Sequence, residues 1–356
     1  MPDILLFGAT GYTGKLTAHA LARRGASFAI AGRNRSKLEH LAAETGDPEV
    51  RVAAVGDTDA LVAALDGVRV MITCVGPFLH LGDTAVEAAL EAGCHYIDST
   101  GEGPFIRRLI QEHDGRAREA GIAMAPALGF DEVPADVAAT LAAEDLDKPD
   151  LVMTYALPSA PSAGTAKSVI DIVTSSGPWI VDGKTVEISA GEQARWSPMP
   201  PPLGPRRAIS FPLAEGHLAP LHLDLAGLRL FVTTGRGQAT AIKGLPLAKA
   251  FLALPGVRQG LEALIDKTVS GPEGRAREGA WTILAEAHSG DRHRNVVLSG
   301  RDVYGITAET LSAGAVRMTE PDFSKTGVIS PVEAVGKDRL QKELIEQGVS
   351  VETFES

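Results

Sequence analysis

Ile4-Leu5-Leu6-Phe7-Gly8-Ala9-Thr10-Gly11-Tyr12-Thr13-Gly14 is an apolar run that breaks into three glycines spaced three apart. It reads as a strand delivering a tight turn into a helix. Such a turn aims backbone N–H groups, and the positive end of the helix dipole, at a bound pyrophosphate. Gly8 permits the turn, Gly11 lets phosphates approach the backbone, and Gly14 lets the helix pack close on the strand. Leu16, Ala20 and Leu21 then mark one face of a helix, and Phe28 to Ala31 form a second apolar strand. That setting is what gives a glycine pattern weight, and Gly8 through Gly14, with Ala9, Thr10, Tyr12 and Thr13, is expected to cradle a dinucleotide.

Outward from this turn, strand and helix alternate. Strands are predicted at 4–7, 28–31, 51–55, 68–75, 95–98 and 122–128, and helices at 14–24, 35–45, 58–66, 83–93 and 104–120. The expected fold class is α/β, a Rossmann-type doubly wound parallel sheet followed by a second α+β domain. From about Asp150 the rhythm changes: a strand at 151–157, a Pro/Ser/Gly-rich loop at 158–164, a helix at 165–174, a proline-rich stretch at 198–205, and strands at 223–233, 279–287 and 294–300. Residues 245–265 read as a core-facing helix broken by Pro246 and Pro255. The expected organisation is 1–148 for nucleotide binding, 149–320 for substrate and dimer contacts, and 321–356, with a helix at 338–347, returning to the first domain.

The residue that grips the 2′-hydroxyl of NAD is a carboxylate just past the second strand. Here that place reads Ala31-Gly32-Arg33-Asn34-Arg35-Ser36-Lys37 and holds no acid. Arg33, Ser36 and Lys37 suit a 2′-phosphate, which favours NADP(H) over NAD. Asp57, after the third strand, is placed beside the adenine.

The nicotinamide is expected over the ends of the fourth to sixth strands. Val75-Gly76-Pro77 makes a rigid turn of small profile there, and Asp98, Glu102, Asp131 and Asp136 crowd the same region. Crowded, partly buried carboxylates can serve as proton donors; equally, each can cap a helix. None of Tyr12, Tyr96, Tyr155 and Tyr304 has a lysine four residues on, so the tyrosine–lysine device of short-chain dehydrogenases is absent. No histidine pair has metal spacing, and no metal is expected. What remains is hydride transfer by the cofactor, with protein groups orienting and protonating.

Composition narrows the setting. The chain has 356 residues, 44% hydrophobic and 22% charged, with a formal net charge of -11. That charge argues against a nucleic-acid partner. Two cysteines, Cys74 and Cys94, sit in apolar stretches and read as buried thiols of a reducing compartment. No apolar segment approaches a bilayer-spanning length, and Met1-Pro2-Asp3 does not open a signal sequence. A cytoplasmic location is expected.

Together, Gly8 to Gly14, Cys74-Val75-Gly76-Pro77-Phe78 with Gly82, Gly93 to Glu102, and Gly129-Phe130-Asp131-Glu132-Val133-Pro134-Ala135-Asp136 resemble the saccharopine dehydrogenase-like oxidoreductases. More narrowly they resemble the branch that includes the trans-acting enoyl reductases. Ser162-Ala163-Gly164-Thr165-Ala166-Lys167-Ser168, Gly300 to Thr307, Gly327-Val328 and Pro331 fit the same branch, so the motifs run through nearly the whole chain. The chain is short relative to that pattern, chiefly after Gly177. The resemblance implies a pyridine-nucleotide-dependent reduction, with an enoyl thioester or lipid-like carbonyl compound as the small-molecule substrate and a possible homodimer. Asp98, Tyr96, Glu102 and Lys167 are the polar candidates for the catalytic cleft. Saccharopine-type substrates need clustered cations, and only Lys167 or Arg206–Arg207 could serve. Two alternatives stay open: reduction of a C=N bond, as in opine or imine chemistry, and a non-catalytic NADP(H) sensor or scaffold.

Overall fold

In a computed structural model, which describes residues 1–158, 175–234 and 279–355, the chain divides into two units. The first comprises Met1–Val137 and Val303–Gln347, the second Ala138–Asp302 and Gly348–Ser356.

In the first unit the apolar runs become adjacent parallel strands. β1 (Ile4–Phe7) lies between β2 (Phe28–Gly32) and β4 (Val70–Thr73), and β3 (Glu49–Val52) pairs with β2. β5 (His95–Asp98), β6 (Ala123–Ala125) and β15 (Gly327–Val328) extend the other side, giving the order β15-β6-β5-β4-β1-β2-β3. β1, β2, β4 and β6 are buried at every residue, as strands of a parallel sheet covered on both faces must be. The order reverses between β1 and β4, the switch point at which doubly wound sheets bind ligands beyond the strands' carboxyl ends.

The helices start where the sequence supplies caps. α1 (Tyr12–Arg23) follows β1 directly. α2 (Arg35–Glu44) is capped by Asn34, whose side chain accepts from Lys37 N, and α3 (Thr58–Ala64) by Asp57, which accepts from Ala60 N. α4 (Phe78–Leu81) and α5 (Asp83–Ala92) follow β4, and α6 (Gly103–Arg108) and α7 (Asp114–Glu119) lie between β5 and β6. α8 (Glu132–Ala143) begins in the first unit and ends in the second.

The return to the first unit begins at Val303, not at residue 321. A long helix, α9 (Val303–Met318), makes the difference. It carries Ala308, Thr310, Ser312, Ala313, Gly314 and Ala315 among its buried residues, so small residues surround it and no amphipathic stripe marks it in the sequence. Thr310 Oγ1 donates to Leu128 O at 2.8 Å. α10 (Pro331–Val335) starts with a Ser330–Glu333 capping box, and α11 (Lys337–Glu346) realises the predicted terminal helix.

The second unit is a mixed sheet. β10 (Ala194–Ser197), β11 (Arg206–Ser210), β12 (Gly227–Thr233), β7 (Asp150–Ala156), β13 (Trp281–Ser289), β14 (Arg292–Gly300) and β16 (Ser350–Glu355) follow in that spatial order, with only β12 and β7 parallel among them. β8 (Ser176–Val181) pairs with β12 and forms a hairpin with β9 (Lys184–Ser189). Met199, Leu284 and Val297 form a buried cluster, with Ala156 and Leu203 packed against it. β16 places the last residues here rather than on the first unit. The helices predicted at 165–174 and 245–265 lie outside the described residues. Among the described residues, no helix is long and apolar enough to cross a membrane.

Candidate cofactor site

The β1–α1 turn has the local geometry its glycines predict. Gly8 adopts φ +82, and a Cβ there would stand 2.6 Å from Val75 Cγ2. A Cβ on Gly14 would stand 2.8 Å from Ala9 Cα, so the helix rests on the turn backbone. Gly11 is the N-cap of α1, with no side-chain capping bond and an extended backbone. The start of α1 therefore offers backbone donors where an anion fits. Ala9 is buried, Thr10 and Thr13 are half-buried, and Gly11 and Tyr12 are exposed. The Tyr12 ring packs edge-on against Tyr304, centroids 5.0 Å apart.

Beside this turn is a cavity of about 440 Å³ lined by Thr10, Lys15, Ser36, Lys37, His40, Leu41 and Glu44. Two of the three residues named for the 2′-phosphate, Ser36 and Lys37, are in its wall. Arg33 is exposed and is not among the lining residues. Lys15 and His40 were missed by the sequence reading. Their signal is helical spacing: Ser36, His40 and Glu44 recur every four residues along one face of α2, and Lys15 follows the last glycine directly. His40 Nε2 lies 3.2 Å from Glu44 Oε1. Asp57, predicted beside the adenine, is exposed and spends a carboxylate oxygen on capping α3.

Across the switch point, Cys74 N donates to Phe7 O at 3.0 Å and carries the chain from β4 into Val75-Gly76-Pro77. Gly76 is exposed, and Val75 and Pro77 are half-buried. Burial pushes both the Cys74 and Cys94 thiols up to about 12; both cysteines are free.

Three of the catalytic candidates of the cleft, Tyr96, Asp98 and Glu102, are buried. Tyr96 and Asp98 are both 0% exposed. Tyr96 Oη donates to Asp98 Oδ2 at 2.6 Å, while Thr100 N and Ala127 N donate to Oδ1 at 2.8 and 2.9 Å. Asp98 thereby ties the end of β5 to the chain beyond β6. Burial dominates its titration and pushes it up to about 6, against the three hydrogen bonds that favour the carboxylate. Burial, first, and the neighbouring Asp98 drive the Tyr96 phenol well above its ordinary value. Glu102 is 1% exposed and accepts from Phe78 N and Leu79 N. Capping, the structural reading of these carboxylates, holds for Glu102 and also for Asp136, which accepts from Val332 N at the start of α10. In both cases the helix capped lies far away in sequence. Asp131 is pushed up to about 6 by burial. Lys167 lies outside the described residues. Among the described residues, no group of three or more His, Cys, Asp or Glu side chains is placed to hold a metal ion.

Residues 4–124, from β1 into β6, match the family model of the saccharopine dehydrogenase NADP-binding domain. The matched residues all lie in the first unit. Its cofactor is NADP, and the glycine cradle and the cavity with Lys15, Ser36 and Lys37 in its wall fit it. Over 141 residues the chain is 38% identical to the trans-acting enoyl reductase of Mycobacterium leprae, covering 38% of this chain and 34% of that protein. Over 323 residues it is 24% identical to a probable mitochondrial saccharopine dehydrogenase-like oxidoreductase of Arabidopsis thaliana, covering 85% of this chain and 65% of that protein. The matched stretches thus span about a third and under two thirds of these relatives. The match to the enoyl reductase covers 38% of the chain and that to the saccharopine dehydrogenase-like oxidoreductase 85%. Apo saccharopine dehydrogenase (L-Glu forming) from Saccharomyces cerevisiae shares the fold, with a TM-score of 0.65 at 14% identity over 100% of each chain.

Proposed function

We propose that this chain is an NADPH-dependent oxidoreductase that transfers a hydride to an activated double bond, in an enoyl thioester or a related lipid-like carbonyl compound. The observation that carries the reading is the glycine turn at the sheet's switch point with a cavity lined by Lys15, Ser36 and Lys37 beside it. Bound NADPH supplies the hydride. The chain's own residues bind and orient. Gly8 to Gly14 take the pyrophosphate, Ser36 and Lys37 with Arg33 take the 2′-phosphate, and Val75-Gly76-Pro77 borders the ring. Tyr96, Asp98 and Glu102 are assigned to holding the loops around that ring. Lys167 keeps its proposed role as a polar group on the acceptor side, and acceptor and homodimer contacts are assigned to the second unit, in a cytoplasmic protein.

The acceptor class is supported by the 38% identity of 141 residues to a trans-acting enoyl reductase. Reduction of a C=N bond is the second reading, supported by the 24% identity over 85% of the chain to a saccharopine dehydrogenase-like oxidoreductase. The test is loss of dihydronicotinamide absorbance with purified protein, offering an α,β-unsaturated thioester in one arm and a 2-oxo acid with an amine in the other. Oxidation in the first arm alone supports the enoyl reading, and in the second alone the imine reading. Tight NADPH binding with no oxidation in either arm would make the chain a sensor or scaffold.

A further inference from the structure

Glu102 sits in the loop between β5 and α6, yet its carboxylate serves another element. Oε1 accepts from Phe78 N at 3.0 Å and Oε2 from Leu79 N at 2.7 Å. These are the first two N–H groups of α4, whose own N-cap, Pro77, makes no side-chain capping bond. A carboxylate in that place satisfies donors that a helix start leaves open, and it faces the positive end of the peptide dipoles. The same segment is held from two more sides. Arg108 Nη2 donates to Leu79 O at 3.1 Å, and the Phe105 ring packs against Phe78 with centroids 5.9 Å apart. Immediately before it in the chain, the Val75 side chain lies against Gly8 of the phosphate turn.

Glu102 is itself held by a short ladder. Its N–H donates to Thr100 Oγ1 at 3.0 Å, Thr100 N donates to Asp98 Oδ1 at 2.8 Å, and Tyr96 Oη donates to the other oxygen of Asp98. Each step spans two residues of the sequence Tyr96-Ile97-Asp98-Ser99-Thr100-Gly101-Glu102. The ladder begins inside the sheet and ends on the segment after Gly76-Pro77.

We propose that Glu102 is a positioning residue for the nicotinamide end of the cofactor: it fixes Val75-Gly76-Pro77-Phe78 against the glycine turn, and so sets where the ring rests. The inference deepens the NADPH reading above and rests on it. It differs from a proton-donor role, which would leave cofactor affinity intact, and from a purely structural role, which would weaken every ligand alike.

The experiment measures binding to the full chain of two probes, NADPH and 2′-phospho-ADP-ribose, which keeps the phosphates and lacks the nicotinamide. Glu102→Ala is expected to weaken NADPH at least about tenfold, the scale of one charge-assisted hydrogen bond, while the fragment stays within about twofold. Glu102→Gln, which keeps one acceptor oxygen, should fall between, at about threefold, and carries the test if the alanine variant fails to fold. Equal weakening of both probes overturns the inference. So does lost turnover at unchanged NADPH affinity, or no change at all. If the unaltered chain binds neither probe, the proposed function falls and this inference with it.

Discussion

The two turns that face each other at the switch point are built on different principles. The β1–α1 turn is self-contained: Gly8 supplies the positive φ, Gly14 the close approach, and both act within seven residues. The β4–α4 turn is held from outside, by Glu102 at a separation of 24 residues and Arg108 at 29. A cofactor's phosphates are constant and can be met by a motif. The ring must be placed against a substrate, and the turn proposed to border it is held by residues that follow β5.

The largest effect expected is at the self-contained turn. Gly14→Ala would press a methyl against backbone at Gly8 and Ala9 that has no room to yield. A loss of about 3 kcal/mol of stability is expected, with NADPH binding reduced more than tenfold, readable by urea unfolding and calorimetry. Near-normal values for both would mean that the turn adapts and that the contrast with its neighbour is false.

The second test concerns pH. Asp98, raised to about 6 when folded, holds its proton longer than in the unfolded chain, where it titrates near 3.8. Its contribution is therefore present below about pH 4, falls as pH rises to about 6, and stays lost above. Asp98→Asn should remove that fall. Between pH 4.5 and 7 the variant should gain about 2 kcal/mol relative to the unaltered chain, measured as unfolding free energy. A constant difference across that range would remove Asp98 from the account. Asp131 is also raised to about 6 by burial, and Asp98→Asn leaves it in place.

Smaller effects sharpen the phosphate side. Lys37→Ala should lower the preference for NADPH over NADH about tenfold, and more than Arg33→Ala does, because Lys37 lines the cavity and Arg33 does not. The reverse order would move the 2′-phosphate out of that cavity. Asp57→Ala should cost about 1 kcal/mol through the lost cap of α3 and leave NADPH affinity within about twofold. A larger loss of affinity would restore Asp57 to the adenine.

Much of the first unit was legible because its signals are short-range. The apolar runs and the glycine spacing lie within a few residues of what they determine; Asn34 and Asp57 cap α2 and α3 as locally, but Asp57 was read as an adenine contact. α9 was invisible because Ala, Ser, Thr and Gly line its buried sides and leave no stripe. The β8–β9 hairpin was overlooked although it carried a readable cue. Asp182-Gly183, both at positive φ, is a two-residue hairpin turn between paired residues Val181 and Lys184. Carboxylates near a crevice kept two readings, cleft groups or caps, because proximity along the sequence says nothing of direction. Tyr96 and Asp98 turn inward, and Glu102 turns toward α4.

By itself the amino-acid sequence determined the parallel α/β unit, its glycine cradle and the absence of an acid after β2, the ground on which a 2′-phosphate is expected. These follow from backbone sterics and periodicity acting over a turn or two. Only the tertiary structure decided that Lys15 and His40 share a cavity with Ser36 and Lys37, that Val303 begins the return, and that Glu102 caps a helix 24 residues away. Those facts depend on which side chains a packed sheet brings together, and buried hydrogen bonds between distant residues leave no spacing in the chain to read.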